Sequence, residues 1–268
     1  MRDATTRTDS KPASGAELAD PARQRVLRFS ILAWSAWSPE RETRSAWSSW
    51  AGASDTVDDP TLPPALPMML RRRLSLFGQR VIRATSSCAV GLPAARYVLS
   101  TRHGELTRAL ATIGAIETEG LPSPTDFSMS IHHALLGLLS IHAGNRGGHT
   151  ALSAGRESFA NGLLEAAACI AERPNEPVIL VHGDEKLPEE YEAFRESDDS
   201  ALPLIVALAL GPPGATAGDD VTLELSPAAA NAQPTVDMAA EFLRFFLSEA
   251  PSAHVVGRRT SWIWRRVN

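Results

Sequence analysis

The chain has 268 residues, 44% hydrophobic and 21% charged, which suits one large α/β domain or two small ones with a sizeable core. A net charge of −5 argues against a general attraction to nucleic acid or anionic membrane. No apolar run approaches the roughly 20 residues that span a bilayer, and two cysteines, Cys88 and Cys169, are too few for a disulfide framework or a zinc site.

The first residues, 1–24, are rich in Thr, Ser, Asp, Ala and Arg without periodicity, and are expected to form a disordered tail ahead of a domain at 25–268. They lack the apolar stretch of a secretory signal, so a reducing, cytoplasmic setting is expected. Residues 26–34 are a β-type run, followed by a stretch holding Trp37, Trp47 and Trp50, and the polar, Pro-rich residues 55–67 read as a loop. Residues 68–84 place apolar side chains three and four apart and predict one amphipathic helix. A short strand at 97–100 and a helix at 106–116 follow, then an apolar helix at 130–141 stopped by Gly144. After a turn at 145–148 come a strand at 149–153, a helix at 158–171 and a core strand at 177–181 that ends in His182-Gly183-Asp184-Glu185. Strands at 203–210 and 221–225 flank a Gly/Pro turn, and a helix occupies 238–248. Trp262 and Trp264 form an apolar stripe that suits either a final edge strand or a docking tail. Alternating strands and helices predict an α/β sheet with covered faces.

Taken as one piece, residues 131–185 resemble the N-terminal half of β-ketoacyl synthases. Gly144-Asn145-Arg146-Gly147-Gly148 stands where that family has a helix-ending Gly and an x-R-G-P turn, and 149–155 where a strand leads to a T-A-C nucleophile elbow. Residues 178–185 match the V-x-V-A-G-G-x-E strand end, with His182 replacing the first Gly of the pair. The fold this implies is the N-terminal half of a thiolase-like (ketosynthase) fold, a mixed sheet covered by helices. Counted from the Gly-Gly turn without gaps, the nucleophile position falls on Arg156; a one-residue slip puts it on Gly155 or Glu157. None of these attacks a thioester as a cysteine thiolate does. The His-Gly-Thr-Gly-Thr motif of the family's C-terminal half does not occur, and His254-Val255-Val256-Gly257 is not that motif. Condensation by this chain alone is therefore not expected.

A narrower resemblance is to the short ketosynthase-like proteins known as β-ketoacyl synthase chain length factors, found beside aryl polyene biosynthesis enzymes. It rests on Phe29-Ser30-Ile31 with the Trp-rich stretch, the LRRRL of 70–74, the STRHGEL of 100–106, the SPTDFS of 123–128, Ser153-Ala154-Gly155 and Asp184-Glu185. The resemblance covers most of residues 26–210. It implies a non-catalytic subunit in a heterodimer with a catalytic β-ketoacyl synthase in polyene, polyketide or fatty-acid-type biosynthesis. Such a subunit closes the far end of the synthase's acyl tunnel and meets acyl carrier protein through the complex, with no cofactor and no metal. The strand residues His149, Thr150, Ala151, Leu152 and Ser153 would form the partner interface. Phe127, Met129 and His133 would reach the tunnel, where a growing chain gains about 0.8 kcal/mol per buried methylene unless bulk blocks it. The other reading of Phe127 and Met129 is plain core packing.

Three further features bear on function. Ser153 or Ser158 would serve a stand-alone acyl hydrolase or transferase, although position 151 is Ala where a hydrolase elbow needs Gly. Arg71, Arg72 and Arg73 would suit an acyl-carrier-protein binding module, or equally a solvated helix face. Cys88 and Cys169 read as structural. Adjacent His132 and His133 point about 100° apart on a helix, and the remaining histidines lack ligand spacing.

Overall fold

The sequence LIVALALG at Leu204–Gly211 is buried at every position, and so is VILVHGD at Val178–Asp184. Runs of this kind belong to strands covered on both faces, and in the computed structural model they are the neighbouring central strands of an eight-stranded sheet. The structure describes residues 25–53, 66–92, 94–195, 202–216, 218–248 and 250–267. The strands are β1 (Arg25–Trp37), β2 (Arg96–Ser100), β3 (His149–Leu152), β4 (Val178–Asp184), β5 (Leu204–Gly211), β6 (Asp219–Pro227), β7 (Ser252–Val256) and β8 (Thr260–Arg266). Their spatial order is β3-β2-β4-β5-β1-β6-β8-β7. β2 runs parallel to β3 and β4, and every other pairing is antiparallel, so the sheet is mixed.

Alternation along β5 deals its side chains to two cores. Leu204, Val206, Leu208 and Leu210 join Phe29, Trp47, Phe159, Leu163, Phe242, Trp262 and Trp264 on one face. That face is covered by α7 (Ser158–Glu172), α8 (Met238–Leu247) and α1 (Arg44–Ala51). Ile205, Ala207 and Ala209 join Val81, Ile82, Leu135, Leu136, Leu139 and Val181 on the other, under α3 (Leu76–Cys88) and α6 (Ala134–Ala143). A short α2 (Met68–Arg71) precedes α3, and α4 (Leu106–Glu119) and α5 (Pro124–Met129) lie between β2 and α6.

The predicted helix at 68–84 is two helices. Ser75 interrupts it and starts α3 as an N-cap, its Oγ accepting from Gly78 N–H at 2.9 Å. The helix expected from residue 130 begins at Ala134 and ends, as Gly144 indicates, on a left-handed residue with φ 62°. Trp262 and Trp264 lie on β8, which is flanked on both sides by β6 and β7, so their stripe is neither a sheet edge nor a docking tail. The expected tail at 1–24 and most of the loop at 55–67 lie outside the described residues.

α7 comes very close to β2. A Cβ on Gly162 would stand 2.7 Å from both Cβ and Oγ of Ser100. Gly162→Ala should therefore cost about 1–3 kcal/mol in spite of alanine's better helix propensity, read as a lowered urea midpoint. An unchanged or raised midpoint would show that the contact relaxes without strain.

Candidate functional site

The carboxyl ends of β2 and β4 meet the start of α7, where the Ser158 hydroxyl lies 3.3 Å from Thr101 O. After β3 the chain turns through Gly155, at φ 58°, and enters α7 at Ser158. The Ser158 hydroxyl accepts from Ala154 N–H at 3.0 Å and donates to Gly155 O at 2.6 Å, and it is wholly buried. Arg156 is half-buried and lines a cavity of about 30 Å³ together with Arg102, Phe159, His182, Asp184 and Asp237. That space suits about one water molecule.

The neighbouring Glu157 has a different task. Its carboxylate accepts from Arg258 N–H at 2.9 Å and from Trp262 Nε1–H at 3.2 Å. Gly257 packs against it with no room for a Cβ. The turn before α7 is thus tied to the β7–β8 hairpin.

Beneath the turn lies a buried polar chain. His182 Nδ1 is 3.1 Å from Ser100 Oγ, and its Nε2 is 3.5 Å from Asp184 Oδ2. Asp184 Oδ1 accepts from Thr101 Oγ1–H at 3.0 Å and from Arg102 N–H at 2.6 Å. The Phe159 ring meets the imidazole edge-on at 5.5 Å. Burial pushes His182 down to about 4, against the pull of Asp237 and of its hydrogen bonding to Ser100. Burial likewise raises Asp184 to about 6, against its hydrogen bonds from Arg102 and Thr101. Asp237, raised by burial, caps α8 by accepting from Ala240 N–H at 2.9 Å.

Ser100, His182 and Asp184 stand in the order of a nucleophile, base and orienting acid. Ser100, however, has no exposed surface, and the cavity that His182 and Asp184 line is the size of one water. The chain holds a turn and a strand end together. The spacing of His182 and Asp184 on one strand face was readable from the sequence; their joining to Ser100 and Asp237 depends on residues 50 or more positions away.

The other candidates fall in separate places. Ser153 is exposed and donates to Arg102 O at 2.9 Å, and among the described residues no histidine or carboxylate is bonded to it. Cys88 is buried, pushed up to about 12 by that burial, and donates to Ala207 O. Cys169 is half-buried on α7, raised chiefly by burial. Arg71, Arg72 and Arg73 are exposed. His149, Thr150, Ala151 and Leu152 form β3, which lies at one edge of the sheet with β2 as its single neighbour. His149 lies 6.0 Å, ring to ring, from His133, an exposed residue at the start of α6. Phe127 and Met129 part company on α5. Met129 is 6% exposed and packs with the α3–α6 core, whereas Phe127 is 55% exposed and is not core.

This sheet, with its strand–turn–helix at residues 149–172, is the thiolase-like fold of ketosynthases. The chain matches the family model of the β-ketoacyl synthase N-terminal domain over residues 46–265 and belongs to that family. It is similar to a chain in the structure of the ketosynthase ApeO in complex with its chain length factor ApeC from Xenorhabdus doucetiae. The identity is 27% and the TM-score 0.75, over 90% of this chain and 100% of that one. Two further structures share the fold at 12% identity. The ishigamide ketosynthase/chain length factor has a TM-score of 0.61 over 90% of this chain and 100% of that one. The other is the type II complex AntDE:AntF of an acyl-carrier protein with its ketosynthase bound to the hexaketide. Its TM-score is 0.64, over 91% of this chain and 100% of that one. No curated protein matches the chain.

The buried carboxyl makes a testable demand. Asp184 ionises near 3.8 when unfolded and near 6 when folded, so the folded state holds the extra proton between those values. Its contribution to stability therefore falls as pH rises through that window, by about 3 kcal/mol in all. His182, at 6.5 unfolded and about 4 folded, acts in the opposite sense over the same range. Asp184→Asn removes the first effect and leaves the second. Relative to the unaltered protein, the variant should gain stability between pH 4.5 and 7.5, measured by urea unfolding. An equal difference at both pH values would mean that Asp184 titrates as an ordinary carboxylate.

Proposed function

We propose that the chain is a non-catalytic, ketosynthase-like subunit that pairs with an active β-ketoacyl synthase and helps set the length of the acyl product. Polyene, polyketide or fatty-acid-type biosynthesis is the setting this reading implies. Its main support is the match to the whole of one chain in a complex of a ketosynthase with its chain length factor, at 27% identity. A second support is chemical. Arg156 stands at the nucleophile position counted from the Gly-Gly turn, above a cavity too small for an acyl group.

The partner would meet His149 to Ser153. Pairing along β3 would satisfy the strand's outward backbone groups and carry the sheet across into the synthase. Phe127 would then project into the partner's acyl tunnel and His133 would line its approach, with Met129 fixing α5 from behind. Acyl carrier protein would deliver its cargo to the complex, in the cytoplasm, and this subunit would need no cofactor of its own.

Co-expression with the synthase encoded nearest to this chain tests the reading. A stable one-to-one complex is expected, and Phe127→Ala should lengthen the product, read by mass spectrometry. Met129→Ala is the less clean variant, since loss of its core packing costs about 2–5 kcal/mol. A protein that ignores the synthase and becomes acylated at Ser153 would overturn the proposal in favour of a stand-alone acyl enzyme.

A further inference from the structure

α5 stands partly clear of the helix before it. Between α4 and α5 lies a cavity of about 580 Å³, lined by Thr107, Arg108, Ala111, Ser123 and Asp126 among others. A helix of six residues has little stability of its own and keeps its place through contacts with the rest of the fold. Met129 seats one end of α5 in the α3–α6 core. Across the cavity, Asp126 Oδ1 accepts from Arg108 Nη1–H at 2.8 Å. At about 100° per residue, Asp126 and Met129 point about 60° apart, which turns the exposed Phe127 away from both.

We infer that Arg108 is a positioning residue: by holding α5 at Asp126 it sets how far Phe127 reaches into the partner's acyl tunnel, and so the length of the product. The inference rests on the proposed function and names a residue that would govern it.

Arg108 is firmly seated for this task. Its Nε–H faces Glu105 Oε2 at 3.3 Å, and its Nη2–H donates to Arg73 O at 3.1 Å. Glu105 is buried and accepts at 2.8 Å from the hydroxyl of Ser75, the residue that caps α3. Glu105 Oε1 also stands 2.8 Å from where a Cβ on Gly78 would be, so the carboxylate lies tight against α3. α3 itself is fixed in the core through Phe77, Val81 and Ile82. A connected path thus runs from α3 through Ser75, Glu105 and Arg108 to Asp126 on α5.

An exposed ion pair ordinarily loses most of its value to the ordering of two mobile side chains. Here the guanidinium is already held by its other bonds and its side chain is 16% exposed, so only Asp126 is ordered on pairing. Without that contact, the cavity gives α5 room to settle toward α4 and draw Phe127 back.

Product length from the complex co-expressed with the synthase, read by mass spectrometry, tests this. Asp126 is exposed and its backbone N–H keeps its bond to Ser123 Oγ, so Asp126→Ala should leave far-UV circular dichroism and complex yield unchanged. It should shift the product toward longer chains, by no more than Phe127→Ala does. Asp126→Glu keeps the carboxylate and should retain the original length. In the Phe127→Ala background, Asp126→Ala should add nothing, because it acts through that ring. Original length for Asp126→Ala where Phe127→Ala lengthens would overturn this inference and leave the proposed function standing. So would additive lengthening in the double variant, or equal lengthening with Asp126→Glu. No change with either Phe127→Ala or Asp126→Ala would sink the tunnel reading and this inference with it.

Discussion

The constraint on which this structure depends is that β4 and β5 have no exposed position. A strand pair buried on both faces needs a helix layer above and another below, and strict alternation then decides which side chain serves which layer. Leu204, Val206 and Leu208 call for α7, and Ile205, Ala207 and Ala209 for α3. The close seat of α7 follows, since Gly162 meets Ser100 with no Cβ between them. So does the hazard at the strand's end, where the same buried course carries His182 and Asp184 into the interior.

Two titratable groups in an apolar interior are tolerable only when bonded, because an unsatisfied buried polar group costs about 1–3 kcal/mol. The fold meets this demand with partners from two separate segments. Ser100 and Thr101 come from the end of β2, Arg102 supplies a backbone N–H, and Asp237 approaches from the cap of α8. The depressed imidazole and the elevated carboxyl both follow from burial, and Ser100 beside them has no exposed surface. Glu157 extends the arrangement outward by binding the β7–β8 turn, so the chain that surrounds Arg156 is fixed from below and from the side.

What the sequence made legible was set by length and periodicity. β4, β5 and α7 are long apolar runs, and the alternation of such strands with helices was enough for an α/β sheet with covered faces, whereas the mixed sheet and the strand–turn–helix at 149–172 followed from the resemblance to ketosynthases. The break at Ser75 was hidden because apolar spacing continues through it, although serine is itself a start signal. β7 was missed because a five-residue edge strand with Val255 as its fully buried side chain has almost no pattern. Trp262 and Trp264 displayed a strand's alternation, but a single strand does not reveal that a neighbour covers it. The resemblance gave Phe127 and Met129 one role at the acyl tunnel, with core packing as the other reading, yet two residues on a helix are about 200° apart, so one faces solvent and the other the core. The union of His182 with Asp237 is tertiary, with no local signature.

The two edges of the sheet are built differently, and this bears on where association falls. β7 exposes Ser252 and His254, and His254 is hydrogen-bonded to Ser261 of its neighbour, a polar edge that discourages further pairing. β3 is half-buried along its whole length and lies beside α6, whose sequence ALLGLLSIHA is apolar around most of its circumference. A helix of that kind is ordinarily enclosed. Here Leu135, Leu136 and Leu139 face the core while Ile141, on the remaining side, is 81% exposed, as Phe127 is on the helix before it. An open strand edge flanked by exposed apolar side chains is stable in water only at some cost, and another protein surface removes that cost more completely than solvent does. The asymmetry between the edges supports the proposal that a synthase partner would pair at β3.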